Sequence, residues 1–148
     1  MGKARYVLGF AFNGNRVVLI RKCHGPTSVL GKLNGLGGKV RDDESSIDAM
    51  TREFKEESGV YASMAQWRKY CTFYGYWGAV ECFSALLTDR QYDNLMLGSQ
   101  SVTDERVETH VIDDRGSISR SDLAPGLLWL IPMALDHRIY PESRVRIE

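Results

Sequence analysis

Three glutamates crowd the end of one short helical pattern. In the stretch from Gly37 to Val60, GGKVRDDESSIDAMTREFKEESGV, Glu53, Glu56 and Glu57 fall on neighbouring turns. At about 100 degrees per residue they share a stripe that adjoins the apolar stripe of Ile47, Met50 and Phe54, so both stripes can face inward together. Like charges at these spacings cost roughly 0.2–0.5 kcal/mol per pair, and acids in a last turn oppose the helix dipole by a similar amount. One reading is a solvated acidic face, offset in part by Arg52 and Lys55. The other is chemical. Immediately before the helix, GLGGKV supplies a glycine loop with exposed carbonyls and amides, and hard divalent cations such as Mg²⁺ prefer carboxylate and carbonyl oxygens. A glycine loop beside an oxygen-rich helix can hold metal and phosphate at once. Lys39, next to that loop, and Arg21 or Lys22, at the end of a strand-like run, are candidate phosphate contacts, each also readable as a plain surface charge.

The elements that must position these residues can be read from the flanking patterns. Tyr6 to Phe12 and Arg16 to Arg21 are apolar, β-leaning runs joined by NGN, a strong hairpin signal. Glycines recur from Lys22 to Lys39 with little periodicity, which predicts a loop. The helix is expected from about Ser46 to Ser58, with Ser45 or Ser46 as its cap, Asp48 in the first turn and Gly59 to end it. SMAQWRKYCTFYG and WGAVECFSALLTD, broken at Gly75 to Gly78, read as a second hairpin. Asp89 to Asp104 reads as a long surface loop, and Arg106 to Ile112 as one more strand. After the connector DDRGSISRSD a second helix is expected from near Pro125 towards His137, burying Leu127, Leu128, Ile131 and Leu135. The end, YPESRVRIE, reads as a tail or a short edge strand. Strands with two inserted helices predict an α+β class or an α/β/α sandwich.

The 148 residues fit one domain, 1–148, large enough for a core without metal or disulfide staples. Formal net charge is zero, which leaves no basic footprint for a nucleic acid polymer. The longest apolar window, Leu123 to Leu135, is broken by Pro125, Gly126 and Pro132 and is too short to span a bilayer, so no membrane partner is expected. Cys23, Cys71 and Cys82 form an odd set without CxxC spacing, which suits a reducing cytoplasm. His24, His110 and His137 are scattered, so no zinc site is expected.

Gly38, then Glu44, Arg52-Glu53, apolar Phe54, Glu56-Glu57, Gly59 and apolar Val60 resemble the complete Nudix box, residues 38–60. The order of strands, glycine loop, box helix, strands and terminal helix also resembles the Nudix fold, an α/β/α sandwich with a mixed β-sheet. That resemblance implies Mg²⁺ or Mn²⁺ bound by Glu53, Glu56 and Glu57 with the Gly38 carbonyl, and a glutamate, by analogy Glu53, that activates water. It implies that Arg52 holds the carboxylates and that Glu44 supports the loop-helix geometry. A further acid is expected before a late strand: Glu105, with Glu108 as the alternative. The implied activity is metal-dependent hydrolysis of a nucleoside diphosphate-linked small molecule. LNGLGGKV is similar to the loop of MutT-like enzymes, which convert nucleoside triphosphates, including oxidised purine forms, to monophosphate and pyrophosphate. On that likeness Asn34 reads the base edge, against its other reading as a structural turn residue. Trp129 is a candidate pocket residue. Leu33 stands where the oxidised-purine enzymes carry an aromatic, and LAPGLLWLIP lacks their paired aspartates. Hydrolysis of ADP-ribose, a nucleotide sugar or a dinucleoside polyphosphate is the alternative, the last with Tyr74 or Tyr76 as the tyrosine involved, and a non-catalytic nucleotide-binding module is the remaining class.

Overall fold

A computed structural model describes residues 3–98, 103–112, 123–139 and 145–147. Its centre is a mixed sheet. β1 (Ala4–Asn13) turns back into β2 (Arg16–Arg21), with Asn13 opposite Arg16, as NGN predicts. β1 also runs parallel to β6 (Gly78–Leu86) from Ala4↔Gly78 to Phe12↔Leu86. β5 (Trp67–Gly75) pairs antiparallel with β6 and parallel with β8 (Val145–Ile147), so the chain end is an edge strand. β7 (Arg106–Val111) lies antiparallel to β2, Arg21 opposite Arg106.

The alternation of β1 and β2 sorts the core into two layers. Val7, Ala11, Val18 and Ile20 face one side, where they meet Met50 and Phe54 of α1 (Ser46–Ser58). Phe10, Phe12, Val17 and Leu19 face the other, where they meet Leu127, Leu130 and Ile131 of α3 (Leu127–Ile139). Helices thus cover both faces, as the sandwich class requires. Tyr70 fastens the second layer, its buried hydroxyl donating to the Leu130 carbonyl at 2.9 Å. No helix among the described residues is long and apolar enough to cross a membrane.

Several expectations are corrected. The supposed loop from Asp89 contains α2 (Asp89–Met96), because Thr88 and Gln91 form a reciprocal capping box and Leu95 is buried. The glycine segment from Lys22 to Lys39 contains two short strands, β3 (Leu33–Asn34) against β2 and β4 (Leu36–Lys39) against β1. A Cβ on Gly37 would collide with the Val7 backbone carbonyl, so this close pairing needs a residue without one. The second hairpin opens with a 3₁₀ turn, Met64–Gln66, and becomes a strand only at Trp67. α3 begins at Leu127, and Leu128 points outward instead of joining the core. The connector DDRGSISRSD lies wholly outside the described residues.

Candidate active site

The acidic helix is anchored at both ends. Ser45 Oγ accepts from the Asp48 N–H, and Gly59, at φ 77°, donates its N–H to the Lys55 carbonyl in the left-handed cap that glycine favours. Met50 and Phe54 are wholly buried, and Phe54 meets Trp67 edge-on. With that face fixed, the adjoining stripe is aimed at β4.

Glu53 and Glu57 meet the glycine strand there, and Glu56 stands beside them on the Arg52 guanidinium. Glu57 is only 5% exposed, and its Oε1 accepts from the Gly37 N–H at 2.7 Å. Burial pushes its carboxyl up to about 8; the Gly37 N–H pulls the other way, while the charges of Glu53 and Glu105 add to the rise and that of Lys22 opposes it. Glu53 lies against Gly38, where a Cβ would come within 2.5 Å of its Oε1. The site is therefore a cradle of carboxylates pressed against the Gly37–Gly38 stretch of β4, which carries no side chains.

Arg52 binds the cradle together. Its Nη2 and Nε reach the two Glu44 oxygens at 2.6 and 3.0 Å, a bidentate pair. Its Nη1 donates to Glu53 Oε1 at 2.8 Å and to Glu56 Oε2 at 3.2 Å, and Nη2 also donates to the Lys39 carbonyl at 3.1 Å. The Arg52 hydrogen bonds hold the Glu44 carboxyl down to about 2 against the opposing effect of burial. Glu44 in turn accepts from the Arg41 N–H, closing the loop that enters the helix. One guanidinium thus connects strand, loop and two of the three helix acids.

The remaining candidates divide. Glu105, its side chain 8% exposed, accepts from Lys22 Nζ at 2.8 Å and from the Cys23 and His24 N–H groups at 2.7 and 3.3 Å. Burial raises its carboxyl, but Lys22 and those amides bring it below the usual range, and its charge is felt at Glu57. Glu108 instead takes Arg21 in a bidentate pair at 2.8 and 3.0 Å, with Arg106 and His110 each at 3.1 Å. Arg21 is therefore turned to Glu108 and to the Gly31 carbonyl. Lys39 lines an open cleft of about 530 Å³ together with Arg52, Glu53 and Glu56. Arg41 lines the same cleft and was missed by sequence reasoning, although it follows Lys39 by only two residues. Asn34 stands opposite Ile20 on the α1 face, its Oδ1 accepting from the Gly35 N–H at 2.9 Å. Trp129, 69% exposed, is on α3 across the sheet, so the structure does not bring it to Asn34. Tyr76 is 91% exposed at the tip of the second hairpin.

The donor set fits a hard divalent cation. It consists of carboxylates, one of them buried, gathered against a backbone whose missing side chain makes room. The family model described as NUDIX domain matches residues 2–114. The chain belongs to the Nudix family. Comparison with curated proteins gives no match. Among solved structures the fold is similar to a Nudix hydrolase from Nitrosomonas europaea, at a TM-score of 0.68 and 17% identity over 100% of this chain and 80% of the other. It is also similar to an ADP-ribose pyrophosphatase from Streptococcus suis, at 0.65 and 15% over 99% of each. MutT of Aliivibrio salmonicida and Vibrio cholerae gives 0.61 and 18% over 89% of this chain and 96% of the other. At such identities the likeness is one of fold, and only one of these three proteins is named for a substrate.

Proposed function

We propose that this Nudix pyrophosphohydrolase, taken as one domain over 1–148, cleaves a nucleoside triphosphate to the monophosphate and pyrophosphate. The observation that carries the reading is the Arg52-braced cluster of Glu53, Glu56 and Glu57 against Gly37 and Gly38. Those three carboxylates and the Gly38 carbonyl would hold Mg²⁺ or Mn²⁺, which when bound neutralises phosphate oxygens and makes water easier to deprotonate.

The chain's own residues do the rest. Glu53, held at one oxygen by Arg52, keeps the other to accept a proton from the attacking water. Lys39 and Arg41, on the cleft rim, supply positive charge to the phosphates. Glu105, whose oxygens are taken by Lys22 and two amides, adds negative charge near Glu57 as a positioning residue. The triphosphate choice is supported by LNGLGGKV. In it Asn34 spends its oxygen on Gly35 and keeps its amide N–H groups for a base edge.

The test is a screen of nucleoside triphosphates, oxidised triphosphates, ADP-ribose and dinucleoside polyphosphates with Mg²⁺ or Mn²⁺, reading the phosphate species released. Pyrophosphate from a triphosphate is expected. Release of AMP and ribose phosphate from ADP-ribose, with triphosphates untouched, would replace the substrate assignment. Binding without turnover of any compound would make the chain a nucleotide-binding module.

A further inference from the structure

Three side chains outside the carboxylate cradle converge where β2 ends. Cys23 and His24 follow β2, and Asp104 closely precedes β7; the β2–β7 pairing, with Arg21 opposite Arg106, brings these distant stretches of chain together. His24 Nε2 lies 3.0 Å from each Asp104 oxygen, and Cys23 Sγ lies 3.8 Å from Asp104 Oδ1. One ligand atom from each of the three falls within 4.8 Å of the others, and all three residues are exposed.

These separations match a coordination polyhedron. A tetrahedral ion with bonds of about 2.3 Å to sulfur and about 2.1 Å to nitrogen and oxygen sets N···O and S···O edges of roughly 3.4 and 3.6 Å. The observed 3.0 and 3.8 Å differ from those edges by only a few tenths of an ångström in scale, which side-chain rotation supplies. A His24–Asp104 ion pair and a weak hydrogen bond from the Cys23 thiol to Asp104 account for the two contacts singly, but neither requires one donor atom from each residue to converge within 4.8 Å.

The backbone beneath the ligands is also fixed in advance. The mostly buried Glu105 carboxylate takes the N–H groups of both Cys23 and His24 and is itself held by Lys22. Because Glu105 adjoins Asp104 in the chain, one side chain ties all three ligand positions together. Such outer support orients ligands before a metal arrives. The donor set of sulfur, nitrogen and oxygen is wrong for Mg²⁺, which demands oxygen, and suits Zn²⁺.

We propose that Cys23, His24 and Asp104 form a zinc site with three protein ligands and one open position, chemically distinct from the all-oxygen cradle on α1. The scattered histidines conceal it in the sequence, since only the strand pairing makes Asp104 a neighbour of His24. The open position takes water or another oxygen donor. Occupancy cross-links the loops that carry Glu105.

The test is titration of the full chain with Co²⁺, a coloured stand-in for Zn²⁺. One equivalent is expected to produce tetrahedral d–d bands and a thiolate charge-transfer band, both abolished by stoichiometric Zn²⁺ and unaffected by excess Mg²⁺. Cys23→Ser removes the charge-transfer band. His24→Gln and Asp104→Asn weaken affinity by more than about tenfold, the least that loss of even an outer-shell partner costs. A Glu53→Gln/Glu56→Gln double variant keeps the bands, so this site stands or falls independently of hydrolysis. No charge-transfer band, a band that persists in Cys23→Ser, or an affinity indifferent to His24 and Asp104 would overturn the proposal. Matching melting curves for these surface variants exclude a folding defect.

Discussion

Glu53 occupies the space that a side chain on Gly38 would need: a Cβ there would meet the carboxylate at 2.5 Å from Oε1 and 2.7 Å from Cδ. Strand and helix are thus fitted atom to atom at the point where the charge is gathered. In Gly38→Ala the carboxylate must move, and displacement of a reacting group by about 1 Å costs on the order of 100-fold in rate. The variant is expected to keep its circular dichroism spectrum and lose about that much kcat. A folded Gly38→Ala protein with near-native kcat would show that Glu53 need not sit where it does.

Arg52 cannot be replaced by another cation. Its planar fork serves both oxygens of Glu44, one oxygen each of Glu53 and Glu56, and the Lys39 carbonyl. A lysine ammonium is a single point with no such reach. Arg52→Lys should therefore lose about 1–3 kcal/mol of stability in urea titrations and at least an order of magnitude in kcat. Preserved activity alongside lost stability would separate bracing the fold from bracing the carboxylates.

The grouping of the candidate residues on α1 was more legible than the short strands beside it, and the reasons are physical. Glu53, Glu56, Glu57, Arg52 and Glu44 all lie within one helix and its lead-in, so fixed helical geometry carries spacing directly into space. The limits of α1 could be read because Ser45 and Gly59 make local cap interactions. α2 was overlooked although its signal, Thr88 to Gln91, is equally local; the polar composition of Asp89 to Asp104 outweighed it. β3 and β4 had no local signal at all, since glycine-rich pairing is stabilised by β1 and β2 across the sheet. The pairing of Arg21 with Glu108, and of Lys22 with Glu105, depends on β2–β7 register, which one sequence does not reveal. The same register separates the roles of the two late acids.

Removing divalent cations should loosen the protein. Binding to the folded state alone adds about 2.7 kcal/mol at a metal concentration 100 times Kd, which for a chain of this size raises Tm by roughly 5–10 °C. Calorimetry with and without a chelator checks this, using Mg²⁺ and Mn²⁺ separately. The increment should largely vanish in Glu56→Gln/Glu57→Gln, which removes two of the carboxylate ligands together with their negative charge. A Tm indifferent to both cations would mean that the carboxylate cluster holds none.

Acid should act through Glu108 as well as through Glu44, both held down to about 2, and Glu108 can be tested apart from the cradle. Arg21 in a bidentate pair, with His110 and Arg106 beside it, holds this carboxyl down to about 2 from the ordinary 4.5, against the opposing effect of burial. A carboxyl whose folded value is depressed binds fewer protons in the folded state, so its stabilisation is complete above about 4.5 and disappears as pH falls through about 2. The shift corresponds to on the order of 2 kcal/mol once the partial exposure of both side chains is discounted. Glu108→Gln should therefore be less stable than the parent near neutral pH, and the difference should shrink as pH is lowered from 5 towards 2. Urea denaturation of both proteins across that range measures it. A difference that stays constant with pH would mean that the cost of Glu108→Gln comes from packing and not from the Arg21 charge pair.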